Sequence, residues 1–264
     1  MSPLFGDFTE QHWRDVLSLS PEAVPQALII HGEVGHEHNL ARWSEILGPH
    51  VQQPQWNILV GEYEDRKLAF ANVLGGPMAA MAAHPFGVIG AQLLIQTGYF
   101  GGLSETVDYG DIFIVDRVKA SCGTATCYGF EDDHIGADEA LVDAARAYCE
   151  AQGWSYVVGA LRSTDAIFLE TIDLARAWAE DGQLGVDMET STTFSVARHL
   201  GCRPISLLNL SDHMLRGEHY FEYKDQRREL GDEVDRRIRE VALHLVTTET
   251  ADEPLPIAEA QAEP

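Results

Sequence analysis

The chain has 264 residues with 42 Asp or Glu against 18 Lys or Arg, a formal net charge of −24 with neutral histidines. So acidic a surface repels the phosphates of nucleic acid and the anionic face of a membrane, and neither is expected as a partner. An apolar content of 45% over this length supports one large core and excludes a disordered chain or a disulfide scaffold.

The charge pattern and the cysteines point the same way. Arg227, Arg228, Arg236, Arg237 and Arg239 alternate with Glu229, Asp232, Glu233, Asp235 and Glu240, as on a solvated helix face. Cys122, Cys127, Cys149 and Cys202 lack CxxC spacing and read as reduced thiols. No basic region precedes an apolar run, and no apolar stretch reaches membrane-spanning length. A soluble, cytoplasmic protein is expected.

Residues 1–25 read as an N-terminal arm with a short helix over 10–19. The core begins after Pro25 with a strand at 27–31 stopped by Gly32, then a helix over 40–47 ending at Gly48-Pro49. Strands at 56–60 and 68–73 flank the turn formers Glu64-Asp65, and the second runs into Gly75-Gly76-Pro77 and a small-residue helix over 78–89. A strand at 91–96 ends in Thr97-Gly98-Tyr99-Phe100-Gly101-Gly102, and another follows at 111–118. Beyond it come a helix over 138–152, a strand at 156–161, a helix over 191–200, a strand at 204–210 and a long helix over 221–246. Strands alternating with helices predict an α/β fold with a parallel or mixed sheet. One folded domain is expected over 26–247, and an acidic, Pro-containing tail over 248–264 reads as disordered.

Two acidic pairs sit at turns beside apolar elements, where ligand sites of α/β folds lie: Asp187-Met188-Glu189 and Ser211-Asp212-His213. A carboxylate such as Glu189 can accept two hydroxyl hydrogen bonds from a vicinal diol. Asp212, at a strand end, can act as a general acid if burial raises its pKa. Each residue alone also suits a helix cap or a structural ion pair.

In combination these residues resemble the nucleoside phosphorylase and nucleosidase superfamily. The matching segments run in family order: Leu74 to Ala79, Thr97 to Leu103, Gly110-Asp111-Ile112, Ser163 to Phe168, Val186 to Glu189, and Ser211-Asp212-His213. The resemblance implies a three-layer α/β/α sandwich around a mixed, partly barrel-like sheet, with a nucleoside at the strand ends. It implies cleavage of the C1′–base bond through a ribosyl oxocarbenium ion while an acid protonates the departing base. By position Asp212 would be that acid, Glu189 would hold the 2′ and 3′ hydroxyls, Met188 would pack under the sugar and Asp187 would face it. Thr97, Gly98 and Tyr99 would line the ribose and acceptor end. A purine is expected, because Ser211-Asp212 matches the purine-type acid.

The acceptor that meets C1′ is either phosphate or water. Family phosphorylases bind phosphate with arginines and a Ser or Thr in the glycine loop. Here those positions fall at Gln96 and Tyr99, the arginine lent by a neighbouring subunit would fall near Pro54, and the first loop reads His31-Gly32-Glu33-Val34-Gly35-His36-Glu37-His38. Glu33 or Glu37 would repel phosphate and serve as a base for water, so hydrolysis is expected, with phosphorolysis as the alternative and Arg42 as the residue that could restore it. Inorganic phosphate enters only in that alternative; no other cofactor is expected.

For the base, the family's stacking aromatic falls at Ile167 beside Phe168, and Asp165 would meet purine nitrogens or else cap a helix. His213, His219, Tyr220 and Phe221 could form a lid, and Arg227 or Arg228 could approach Asp212. The histidines and acids of the first loop could also hold a metal, but no second HxH motif accompanies them, and no metal is expected. A non-catalytic nucleoside binder is the remaining class. The resemblance implies a homo-oligomer, a dimer or a trimer of dimers.

Overall fold

The computed structural model describes residues 3–53, 56–131, 134–221 and 225–250. Pro54 and the tail from 251 onward lie outside them. Ten strands form one mixed sheet. β1 (Ala27–Gly32), β4 (Arg66–Val73), β3 (Ile58–Tyr63) and β2 (Val51–Gln53) make its open wing. β5 (Leu93–Gly102), β10 (Arg203–His213), β6 (Ile112–Lys119), β8 (Tyr156–Ser163) and β9 (Gly185–Asp187) close on themselves through β5–β10 and β5–β9 pairing. β7 (His134–Gly136) pairs with β6. The result is a helix-covered mixed sheet with a closed five-stranded core.

Period-2 alternation in β1 divides the interior. Leu28 and Ile30 face one core with α3 (Gly76–Val88), α7 (Thr190–Leu200) and Trp13 and Leu17 of α1 (Glu10–Leu17). Ala27 and Ile29 face the other with α2 (Glu37–Leu47), α5 (Glu139–Gln152) and α8 (Asp225–Glu249). The arm over 1–25 therefore contributes to the core. Its helix starts at a capping box in which Thr9 and His12 bond reciprocally.

Several elements differ from expectation in their ends. β5 continues through Gly98–Gly102, and β10 through Ser211–His213, because these two strands pair along their full length across a bulge at Leu210/Asp212. α2 begins at Glu37, so Glu37 and His38 are helical and not loop residues. α8 starts at Asp225 and runs to Glu249, three residues beyond the expected end at 246. The short α4 (Gly123–Cys127) and α6 (Ile172–Glu180) were not anticipated. All four cysteines are free, and among the described residues no helix is long and apolar enough to cross a membrane.

Candidate active site

The C-terminal ends of β1, β5, β8 and β10 and the N-termini of α3 and α7 converge on one region. At its centre two strands touch backbone to backbone. Gly98, at φ +137°, is paired with Gly32, and a Cβ on Gly98 would stand 2.7 Å from the Gly32 carbonyl oxygen. Gly98 makes that approach possible, and a Cβ on Gly32 would instead meet the Glu189 side chain.

Glu189 crosses to the same point. Its Oε1 accepts from the Gly75 N–H at 2.6 Å, at the N-terminus of α3, and its Oε2 lies 2.7 Å from where a Gly32 Cβ would stand. Burial, with the charge of Asp187 beside it, pushes the Glu189 carboxyl upward. Met188, between them in sequence, is half-buried.

Asp187 departs from its expected sugar-facing role. Oδ1 accepts from Ser163 Oγ at 2.5 Å, while Oδ2 accepts from the Thr190 N–H at 2.9 Å and from the Thr190 hydroxyl. Both oxygens are spent on the start of α7 and the end of β8. Asp187 is thus a buried brace for the Glu189 turn.

The first loop is organised around Glu33. Its Oε2 accepts from Asn39 Nδ2 at 2.6 Å and lies 3.3 Å from His31 Nε2 and from His38 Nε2. Asn39 also donates to Asn72 Oδ1, whose own amide donates to the Glu33 carbonyl. Burial alone would raise the Glu33 carboxyl, but the hydrogen bonds from His31 and Asn39 and the nearby imidazoles outweigh it and hold the group below its ordinary value. His31 Nδ1 meets Thr97 Oγ1 at 2.9 Å, which brings Thr97 into the same network. Glu37 is exposed on the first turn of α2 and takes no part in it.

Tyr99 donates its hydroxyl to Asp235 of α8, which also accepts from Asn209 Nδ2 at 2.8 Å. A cavity of ≈ 20 Å³ lies there, lined by His31, Asn39, Trp43, Thr97, Asp235, Ile238 and Arg239. Arg42 lies near enough to Arg239 to lower its pKa, after burial, which is the larger cause.

At the far end Asp212 is half-buried, accepts from the Ser211 hydroxyl, and is pushed upward by burial. Arg227 pairs with Glu218 at 2.9 Å and not with Asp212. His213 is buried, with Nε2 3.0 Å from the Ser104 carbonyl, so it belongs to the wall beneath the site and not to a lid. Asp165 accepts from the Gly123 N–H at 2.8 Å, at the start of α4, and does not cap the 3₁₀ turn that follows it. Ile167 and Phe168 form an exposed 3₁₀ turn, and Phe168, at 85% exposure, stacks on no ring among the described residues.

The sequence reading missed Asn39, Asn72, Asp235, Glu218, Tyr109 and Glu170. Glu170 is pushed up to about 7 by burial and by the charge of Asp212, which places a second carboxyl near the first. Asn39, an amide at a core-facing position of an amphipathic helix, was the most legible of them. Among the described residues no cluster of three or more His, Cys, Asp or Glu has an arrangement that would hold a metal ion.

A mixed sheet with a closed five-stranded part, and a cleft that places a buried glutamate between two glycine turns and an aspartate at a strand end, defines a class of α/β proteins that bind small polar ligands at strand ends. The chain matches the phosphorylase superfamily over residues 27–247 and belongs to it. It is 24% identical over 228 residues to a guanosine phosphorylase of Halorubrum lacusprofundi, covering 85% of this chain and 94% of that one. It is 26% identical over 162 residues to a DeoD-type 2 purine nucleoside phosphorylase of Vibrio vulnificus, covering 60% and 68%. The crystal structure of a uridine phosphorylase from Vibrio fischeri shares the fold, with a TM-score of 0.75 at 21% identity over 92% of this chain and 99% of that one.

Proposed function

We propose that the protein cleaves the N-glycosidic bond of a purine nucleoside and transfers the ribosyl group to water. Glu189 holds the ribose diol through Oε2 while the Gly75 amide fixes Oε1. Asp212, whose carboxyl burial pushes upward, donates its proton to the base as the C1′–N bond breaks. Water then attacks C1′ and gives a proton to Glu33, which the first-loop network keeps ionised. No cofactor enters this scheme.

The observation that carries the choice of water is the character of the acceptor end. Gln96 and Tyr99 stand where a cation and a small hydroxyl would serve phosphate, Glu33 and Asp235 supply negative charge, and the cavity between the glycine loops and α8 has room for a water. A dianion facing two carboxylates is disfavoured unless cations outnumber them.

Phosphorolysis is the second reading. The names of the relatives favour it, as does Arg239 at the cavity with Arg42 close by. Incubation of the purified protein with adenosine, inosine, guanosine, methylthioadenosine and uridine, with and without phosphate, separates the two. Free ribose formed at the same rate without phosphate supports hydrolysis; ribose 1-phosphate formed only with phosphate overturns it. No base release from any of these substrates favours a non-catalytic binder.

We further propose that the protein works in the cytoplasm as a homo-oligomer. Leu74 just before α3, Met78 and Met81 on it, and Ile167, Phe168 and Leu169 on the 3₁₀ turn are exposed apolar residues. The two strips are linked through α4, since Thr124 lies against Gly76 and Asp165 caps Gly123. A second copy on this face would give Phe168 the partner it lacks.

A further inference from the structure

We infer that Glu218 is a positioning residue for Asp212: by gripping Arg227, the Tyr109 hydroxyl and the His213 amide with one carboxylate, it denies Asp212 a cation and so keeps a proton on the leaving-group acid. The inference rests on reading Asp212 as that acid.

The geometry is built from three distant parts of the chain. Gly217, at φ +73°, ends the 3₁₀ turn Met214–Arg216 and throws Glu218 back toward the end of β10. There the Glu218 N–H donates to the His213 carbonyl at 3.3 Å, and the His213 N–H donates to Glu218 Oε2 at 3.1 Å. The same Oε2 accepts from the Tyr109 hydroxyl, which comes from the connection between β5 and β6, and from Arg227 Nη2 at 2.9 Å, which comes from the first turn of α8. The Arg227 guanidinium also lies over the Tyr109 ring, 4.4 Å from its centroid. One oxygen thus collects three donors beside the residue that follows Asp212.

The charges facing Asp212 follow from this cage. Glu218 and Glu170 are carboxylates, Arg227 and His219 are cationic or potentially so, Tyr109 presents a hydroxyl, and Ser211 donates a hydrogen bond. Arg227 is the guanidinium among them, and its charge is matched by Glu218 at contact distance. The opposed charges of that pair offset one another at Asp212, which leaves burial as the main influence pushing its carboxyl upward. Were Arg227 on Asp212 instead, the acid would be ionised and unable to protonate a base.

Glu218→Gln tests this. The carboxamide keeps an oxygen for the Tyr109 hydroxyl and the His213 amide but no charge for Arg227, whose own charge then acts on Asp212 unopposed. The Asp212 titration is followed by ¹³C NMR on protein labelled at aspartate carboxyls and assigned by loss of the signal in Asp212→Asn, so it is read whether or not turnover occurs. The expected result is a midpoint lowered by about one pH unit or more in Glu218→Gln, raised in Arg227→Gln, and returned toward the wild-type value in Glu218→Asp. The basic limb of the pH profile of nucleoside cleavage should move by the same amount. A role confined to structure lowers the melting temperature and the rate at every pH and leaves the midpoint in place, and that result overturns the inference. Full turnover in Asp212→Asn alongside the shifted midpoint would instead sink the reading of Asp212 as the acid, with its electrostatic control by Glu218 intact.

Discussion

The Tyr99 hydroxyl on β5 donates to the Asp235 carboxylate on α8 and so ties the second glycine turn to the C-terminal helix. The two residues are 136 positions apart, and Asn209 of β10 joins them by donating to the other oxygen of Asp235. Tyr99→Phe removes one donor from a carboxylate already pushed upward by burial. The expected cost is about 1–3 kcal/mol, seen as a drop of several degrees in melting temperature. Adding Asp235→Asn should recover part of it, because the group left without a donor is then uncharged; a double-mutant cycle measures that coupling.

Gly32 admits no side chain. A Cβ there would stand 2.7 Å from Glu189 Oε2 and 2.9 Å from its Cδ, so Gly32→Ala must displace the carboxylate proposed to hold the ribose diol. Since a shift near 1 Å in a positioning group costs roughly 10²-fold, kcat/KM for the nucleoside should fall by about that factor. Circular dichroism and melting temperature should stay close to wild type, because the displaced group ends a side chain and the β1–β5 pairing is untouched.

The order of the strands and helices was legible because glycine, proline and the two periodicities punctuate this chain clearly. Their ends were not. Gly98, Gly101 and Gly102 look like stop signals, yet they lie inside β5, where contacts with β1, β9 and the Met214 and His213 side chains leave no room for a Cβ. The residues proposed for the site were legible where a motif is contiguous, as at Asp187-Met188-Glu189 and Ser211-Asp212. The division of labour within each motif was not, since whether Asp187 or Glu189 faces the ligand depends on Ser163 and Thr190, whose positions follow from β8–β9 register and the start of α7. The Glu218–Tyr109–Arg227 cage was illegible for the same reason: its members meet only after the barrel closes.

Glu170 makes stability depend on pH. Its carboxyl rises from an ordinary 4.5 to about 7 through burial and the charge of Asp212, so the folded protein holds this proton more tightly than the unfolded chain does. The resulting stabilisation is complete below about 4.5 and is lost as pH rises through about 7. Glu170→Gln removes the titration. Denaturant unfolding at a series of pH values should show the variant gaining on wild type across that window, by on the order of 1 kcal/mol once partial exposure is allowed for. A difference that stays flat with pH would mean that Glu170 titrates normally.

Glu33 distinguishes the two ends of the proposed reaction. Glu33→Gln keeps an oxygen for Asn39 but cannot take a proton from water, and proton transfer of this kind is worth roughly 10²–10⁴ in rate. Hydrolysis should fall by that factor with little change in KM, because Glu189, the proposed sugar-binding group, is untouched. Asp212→Asn should fall comparably on purine nucleosides, yet far less on a substrate whose leaving group departs without a proton, such as a nitrophenyl riboside. Glu33→Gln should remain slow on that same substrate, since water must still be activated after the bond breaks. Equal losses for both variants on both substrates would contradict the assignment of acid and base to opposite ends of the site.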